Sequence, residues 1–469
     1  MNHLEFTIKR YLGKIRRIYF MALPEDDRDY HRSRNYFIAA DTAAQTIGNM
    51  VGGSYLTSLM LAVGFSDASI GTLTSMASLA ALFQLFTMQT VNKMKKRKFF
   101  ICMIVLLKFL FTIMFLVPLF HMPERISQIM IALCFFLAQS AAQIVGPATS
   151  DWIASLIPLE SRGKYFAKKD AILVFVIVTV LLIVGVIMDA LTGPKQNIGF
   201  LVCAAIVFVM VIINFWALSK MHEPRTYTLT ADGKEVHGTL AKRYFDLDTE
   251  LEKTSFLIEF KEAFKSKDFR IAFITTTLWM TSFYIASPFN SSYQLKELAL
   301  PFTFLQITNF ASNLIRIAIT HKMGKLGDYY GMAFIYKYSL VGILLFFVIY
   351  TFTVPSNAYL FTIAATLFSA LGWSFAGSGL FGVQLEMLDE NKRTIQFSIL
   401  SSLTGTYGFL VSVIAGQLLD FIQHHRPTVF GVTLYAQQVT NALGVFFLVL
   451  LILYLKFKVQ VREKELRQK

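Results

Sequence analysis

The sequence predicts an all-α membrane protein, with twelve transmembrane helices in two six-helix bundles. Three observations carry this. Of 469 residues, 55% are hydrophobic and only 16% are charged, whereas a soluble domain carries roughly a quarter charged. The apolar residues gather into twelve runs of about twenty, the length that crosses the hydrocarbon layer of a bilayer. The longest polar stretch, residues 221–269, falls after the sixth run and splits the chain evenly.

The first six runs lie near 36–63, 69–91, 99–120, 126–150, 169–190 and 197–219. The second six lie near 270–290, 302–321, 332–352, 357–382, 396–420 and 435–456. Each is expected to be a helix, because a lipid-embedded backbone finds hydrogen-bond partners only within its own segment. The units are therefore an N-terminal segment (1–35), a first bundle (36–220), a linker (221–269), a second bundle (270–456) and a basic tail (457–469).

The net charge of +14 would suit a nucleic-acid partner if it were clustered on a soluble face. It is instead sorted by side. With both termini in the cytoplasm, 37 of the 44 Lys and Arg residues fall in cytoplasmic segments, and only Arg125, Lys195, Lys296 and Arg426 fall in the opposite loops. That is the positive-inside distribution, which sets orientation and accounts for the charge without nucleic acid. The lipid bilayer is the expected partner, in a bacterial-type cytoplasmic membrane.

Residues 1–34 lack the apolar core of a cleavable signal peptide. Leu4, Ile8, Tyr11, Ile15 and Ile18 recur at helical spacing opposite Lys9, Arg10, Lys14, Arg16 and Arg17. Such a segment suits a helix lying in the headgroup layer; a solvated basic tail is the alternative. In the linker, Ala231-Asp232-Gly233 predicts a hairpin turn within 227–236. Phe256, Phe260 and Phe264 predict an amphipathic helix leading into the seventh span. Cys102, Cys134 and Cys203 lie inside apolar runs with no metal or disulfide spacing. No metal is expected from them, or from the isolated His424-His425 pair.

The halves echo each other. Gly324-Lys-Leu-Gly-Asp328-Tyr-Tyr-Gly331 lies between spans eight and nine, and Gln89 to Lys98 occupies the matching place in the first half, 235 residues earlier. Arg162-Gly-Lys-Tyr-Phe166 follows span four, and Arg393-Thr-Ile-Gln-Phe397 follows span ten, 231 residues later. Near-equal offsets at corresponding loops are the residue of a duplicated unit, and repeats of this kind typify transporters.

With these motifs the chain resembles the major facilitator superfamily (MFS). Gly324, Leu326, Asp328 and Gly331 match that family's loop signature, with Tyr329 where a basic residue is usual; Pro158 to Phe166 is similar to the link after its fourth helix. In the first half Gln89, Lys93 and Lys96 depart from the signature. The resemblance implies the MFS fold, with spans 1, 4, 7 and 10 around a cavity and spans 3, 6, 9 and 12 outside. It also implies alternating access, and an aspartate, here Asp328, seated at a helix N-terminus.

An ionised group in a span is costly and so is a functional candidate. Asp41 shares one face of span one with Gln45 and Asn49; proton carriage or a cytoplasm-proximal structural role would each explain it. Gln139, Gln143, Gly146 and Ser150 form a polar stripe on span four, suited to solute or to helix–helix bonding. Trp279 and Trp373 lie mid-span in seven and ten, with Thr275, Ser282 and Tyr284 near the first and Asn290 and Tyr293 further out. An aromatic wall for a solute and plain packing are both open. Arg316 and Lys337 are placed to snorkel. Lys108 lies mid-span in span three, which the resemblance places at the periphery; no acid sits obviously opposite it, and pairing with a neighbouring span is open. Glu386, Asp389 and Glu390 near the end of span ten are gate candidates with Arg162 and Arg393.

No Walker-type loop is present and no histidines cluster for catalysis, so neither ATP use, an enzyme activity nor a cofactor is expected. The expected function is a secondary active transporter of a small-molecule solute, coupled to H+, acting as a monomer. The hydrophobic, acid-poor spans tilt toward export of amphipathic compounds. A sodium- or proton-coupled sugar or metabolite symporter is the alternative, and a transport-inactive sensor or assembly partner is a third reading.

Overall fold

The computed structural model describes residues 30–83, 97–157, 162–191, 193–222, 228–229, 235–236, 256–389, 393–425, 428–429 and 432–467. The N-terminal amphipathic segment, the basic stretch 84–96 and most of the linker lie outside them.

Helix dominates, as a chain dissolved in lipid requires. Span one comprises His31–Met50 and Gly53–Ala62, and span two opens with Asp67–Ala80. Span three comprises Arg97–Leu106 and Phe109–Leu116; spans four to six are Glu124–Leu156, Arg162–Ala190 and Gln196–Lys220. The second bundle runs through span seven (Lys267–Tyr284 and Ser287–Ser292), span eight (Phe302–Tyr330) and span nine (Met332–Thr351). Span ten (Ala358–Trp373 and Ala376–Met387), span eleven (Arg393–His425) and span twelve (Ala436–Tyr454) complete it. A final helix, Gln460–Arg467, lies at the same face as the start of span one, here the near face.

Two of these helices break at equivalent places. In span one the glycine pair 52–53 interrupts the helix; Gly53 sits at φ +56°, a left-handed conformation that glycine adopts freely. In span seven Pro288 follows the break, and its missing N–H and its ring preclude continuity with the preceding turn. The breaks at Gly52 and Ala286 are 234 residues apart, matching the offsets of the sequence echoes. Arg162 and Arg393 likewise each open a helix, of spans five and eleven.

Each bundle has its own core. Ile47, Leu59, Phe115, Phe135 and Val207 are among the buried residues of the first, and Phe269, Tyr336, Phe347 and Leu451 of the second. Side chains such as Phe99, Ile129, Phe175, Ile414 and Phe446 project outward, exposed as a lipid-facing surface demands. Eight of the described helices are long and apolar enough to cross a membrane by composition alone; spans one, two, seven and eight are not among them. Spans one, seven and eight are the ones that carry most of the polar cavity described below.

The linker hairpin forms where expected, Thr228 opposite Val236 and Leu229 opposite Glu235. The predicted amphipathic helix is Phe256–Lys265, and its Phe264 ring packs 5.1 Å from that of Phe269.

The expected loop between spans eight and nine is a correction. Span eight continues as helix to Tyr330, so Gly324 and Asp328 lie in its last turns and only Gly331 separates it from span nine. Asp328 therefore does not sit at a helix N-terminus. That place is taken by Glu463 of the C-terminal helix, whose Oε1 accepts from the Ala333 N–H at 3.3 Å. Gly331, at φ +105°, leaves room for it; a Cβ there would lie 2.7 Å from Glu463 Oε1.

Candidate functional site

Two cavities lie along span one, and Gly48 borders both. The central one, of about 440 Å3, lies between the bundles. Span one gives Asn49, Ser54 and Tyr55; span seven gives Ser287, Asn290, Ser291 and Gln294; span eight gives Gln306, Asn309 and Asn313; span ten gives Thr366 and Ser369. The lining is mainly amide and hydroxyl, with four aromatic rings and the aliphatic Ile177, Val178 and Leu181 of span five, and holds no Asp, Glu, Lys or Arg. The helix breaks put this polarity there, because a broken helix frees backbone groups that only a polar, protein-lined space can tolerate.

The lining is held firmly. Asn290 and Asn441 exchange amide hydrogen bonds at 3.3 and 2.8 Å. Gln294 donates to the Tyr350 hydroxyl, and Tyr55 donates to the Leu181 carbonyl at 2.5 Å. The Asn309 side-chain amide has no protein partner among the described residues and is free for a solute.

At the face opposite the near face, the far face, the bundles lock together. Asp189, at the end of span five, accepts from the Phe302 and Thr303 N–H groups at 2.8 and 2.7 Å, capping span eight from the other bundle. Asp67, 1% exposed at the start of span two, accepts from Lys296 at 3.1 Å and from Gln423 at 2.5 Å. Ser412 donates to the Gly71 carbonyl at 3.2 Å. The Phe289 ring presses on Gly71, where a Cβ would lie 2.0 Å from its nearest atom. Sequence reasoning missed Asp67 and Asp189. The signal was available, since both are acids at or within apolar runs, the criterion applied to Asp41.

The second, inner cavity, of about 570 Å3, lies within the first bundle toward the near face. It gathers Asp41, Gln45, Gln139 and Gln143 with Lys108, Lys169 and Asn214. Asp41 pairs with Lys169 at 2.5 Å, and Lys169 also reaches the exposed Asp170 at 3.2 Å. Lys108, in a span that the resemblance places at the periphery, points inward toward span six and is 7% exposed. Span three breaks around Leu107 and Lys108. The Lys108 Nζ meets Asn214 Oδ1 at 3.4 Å, while Asn214 Nδ2 donates to the Ala40 carbonyl at 2.7 Å.

The sequence-stated face of span one is thus real, but it divides between two spaces: Asp41 and Gln45 face the inner cavity, and Asn49 the central one. Of the cavity spans implied by the resemblance, one, seven and ten line the central space and span four the inner one; spans five, eight and nine also reach the centre, and spans three and six, expected outside, line the inner cavity through Lys108 and Asn214. Trp279 and Trp373 line neither. Their ring centroids lie 5.8 Å apart, edge to face, with Phe283 against both, and Tyr284 packs on Gly408. This is the packing alternative, an aromatic knot at a helix crossing. Glu386 is half-buried near the end of span ten. The side chains of Arg162, Arg393 and Asp328 lie outside the described residues.

A profile of the Major Facilitator Superfamily matches residues 42–413. The chain belongs to that superfamily. No curated protein matches it. Among solved structures, the nucleoside transporter NupG is similar over 91% of this chain and 100% of its own, at TM-score 0.67 and 13% identity. A bacterial homologue of the iron transporter ferroportin, in an inward-facing state, is similar over 92% and 98%, at TM-score 0.61 and 14% identity. The xylose transporter XylE from E. coli is similar over 90% and 94%, at TM-score 0.59 and 11% identity. At such identities the likeness is one of fold. This MFS chain is accordingly a multi-pass membrane protein built as a secondary transporter.

Proposed function

We propose that this MFS chain carries a neutral, hydroxyl-rich solute of sugar or nucleoside size, by alternating access through the central cavity. The supporting observation is the lining: about 440 Å3 bounded mainly by amides and hydroxyls, with a smaller apolar part and no charged side chain. A charged solute would leave its charge uncompensated there, a costly burial. An amphipathic compound would meet amides that it cannot satisfy, and those would lose their hydrogen bonds to water. This favours the metabolite-carrier alternative over export of amphipathic compounds. The neighbours named for nucleosides and xylose handle solutes of this chemistry, which accords with the reading.

Asp41 is proposed as the proton-carrying group, being a carboxylate tied to one lysine and bordering the inner cavity, toward the near face from the centre. The charge asymmetry of the loops supports a cytoplasmic position for both termini; in this assignment the near face is cytoplasmic and the far face external. Glu386, Arg162, Arg393 and the Gly324–Gly331 stretch remain proposed gate elements on the near face.

The test is flux. Purified protein in liposomes is offered labelled sugars, nucleosides, amino acids and amphipathic dyes, with and without an imposed pH gradient. Accelerated flux of a neutral polyhydroxylated solute, driven by the gradient and lost on Asn309→Leu, is the expected result. Flux of only charged or apolar compounds would overturn the assignment.

A further inference from the structure

The inner cavity carries an unbalanced charge. Its lining includes two ammonium groups, Lys108 and Lys169, but a single carboxylate, Asp41. Asp41 is committed to Lys169 at 2.5 Å, and Lys169 has a second carboxylate, Asp170, at 3.2 Å on the exposed side. Lys108 is the opposite case. It is more than nine-tenths buried, and its one hydrogen-bond partner is the neutral Asn214 amide at 3.4 Å. No carboxylate lies within ion-pair distance of it among the described residues.

An ammonium taken out of water and given only a long bond to an amide is an incomplete arrangement; buried charges in proteins are otherwise paired. The space before it is large enough for a ligand, about 570 Å3, and holds further donors. Gln139 lines the same cavity, and its amide has no protein partner among the described residues. Gln143 also lines it, its Nε2 donating to the Ala77 carbonyl at 3.3 Å.

We propose that the inner cavity binds a compact monovalent anion, held by the Lys108 ammonium with the Gln139 amide beside it. The valence follows from Lys108 alone: Asp41 and Asp170 both face Lys169, so the one ammonium without a carboxylate is matched by a monovalent ion and overshot by a dianion. This site is distinct from the central cavity, whose lining is uncharged. Chloride and a small carboxylate share the required chemistry, and the experiment separates them.

The full-length protein is purified in detergent, and its melting temperature is followed at constant ionic strength. Sodium gluconate, whose anion is bulky, is replaced stepwise by chloride, nitrate, acetate or sulfate. The expected result is a saturable upward shift with chloride and nitrate or with acetate, and a weaker one with sulfate. Chloride and nitrate acting alone mark an inorganic-ion site; acetate acting best marks a carboxylate site.

Lys108→Gln is expected to raise the half-saturating concentration at least tenfold, and Lys108→Arg to keep it within about threefold. Asp41→Asn removes the competing carboxylate and is expected to lower it several-fold. A residue that merely supports packing would not produce opposite shifts in these variants. No saturable effect in the wild type, unchanged affinity in Lys108→Gln, or weakening in Asp41→Asn overturns the proposal. If Lys108→Gln cannot be recovered folded, Gln139→Leu replaces it: weaker binding there, with tighter binding in Asp41→Asn, is required, and any other ordering refutes the site. No flux is measured, so this result stands or falls independently of the solute assignment.

Discussion

Replacing Asp189 by Asn removes a charge from the junction of the two bundles while keeping the side chain's size. In the structure the carboxylate caps span eight in trans, its two oxygens accepting at 2.8 and 2.7 Å from the Phe302 and Thr303 N–H groups. The first N–H groups of a helix have no partner within it, and the helix dipole adds to the attraction for a negative charge. A hydrogen bond to a charged group contributes about 1.5–3 kcal/mol. Asn keeps one neutral acceptor but turns an N–H toward the second donor, so one charge-assisted bond is lost and the other weakened. The net cost is then at least about 1.5–3 kcal/mol, and it falls only on the state in which the far face is closed. At about 1.4 kcal/mol per tenfold, the ratio of closed to open states falls by roughly 10- to 100-fold.

The assay is chemical access. A cysteine placed at Asn309, in the central cavity, is challenged with a membrane-impermeant maleimide from the far face; the native Cys102, Cys134 and Cys203 are all buried. In the Asp189→Asn background the labelling rate is expected to rise at least about tenfold by the same conversion. Ser412→Ala loses one neutral bond of 3.2 Å, about 0.5–1.5 kcal/mol, and is expected to raise the rate less. If both substitutions leave labelling unchanged in folded protein, the far-face contacts do not hold that state, and the latch reasoning fails.

Three further outcomes follow from particular positions. Gly48 borders both cavities, and a Cβ there would meet nothing within 4 Å; Gly48→Leu is expected to leave the melting temperature nearly unchanged and to reduce solute flux at least about tenfold if the path passes it. Asp41→Asn is expected to abolish stimulation of flux by a pH gradient while sparing solute-induced thermal stabilisation; retention of full stimulation removes Asp41 from coupling. Gly331→Ala forces a side chain into φ +105° against the Glu463 carboxylate and is expected to destabilise the chain by about 1–3 kcal/mol, read as a lowered melting temperature, with Glu463→Gln costing about 1–2 kcal/mol as a weakened cap. An unaltered melting temperature in both would show that the C-terminal helix does not support span nine.

The sequence was informative where one physical rule acts locally. Lipid demands long, self-satisfied helices, so the apolar runs located the spans, within a few residues in most cases. The exception is instructive: span eight outlasts its apolar run by nine residues, to Tyr330, because helix geometry does not stop where hydropathy does. Helical spacing also put Asp41, Gln45 and Asn49 on one face, and that face is the one that borders the cavities. The near-equal offsets between the halves reappear in the matched breaks of spans one and seven.

Tertiary structure decided what meets what. Lys108 looked stranded because spacing along one helix cannot show that Asn214, 106 residues away, and the Asp41 neighbourhood lie on its inward side. Asp189 closes an apolar run in the sequence, and its partners are amides 113 and 114 residues on, in the other bundle. Trp279 and Trp373 carried the right chemistry for a binding wall, and helix crossing turned them toward each other instead. Hydrophobic matching to lipid is a property of each segment alone and can be read from it. Charge pairing and cavity shape are properties of segments brought together, and exist only once the bundles have packed.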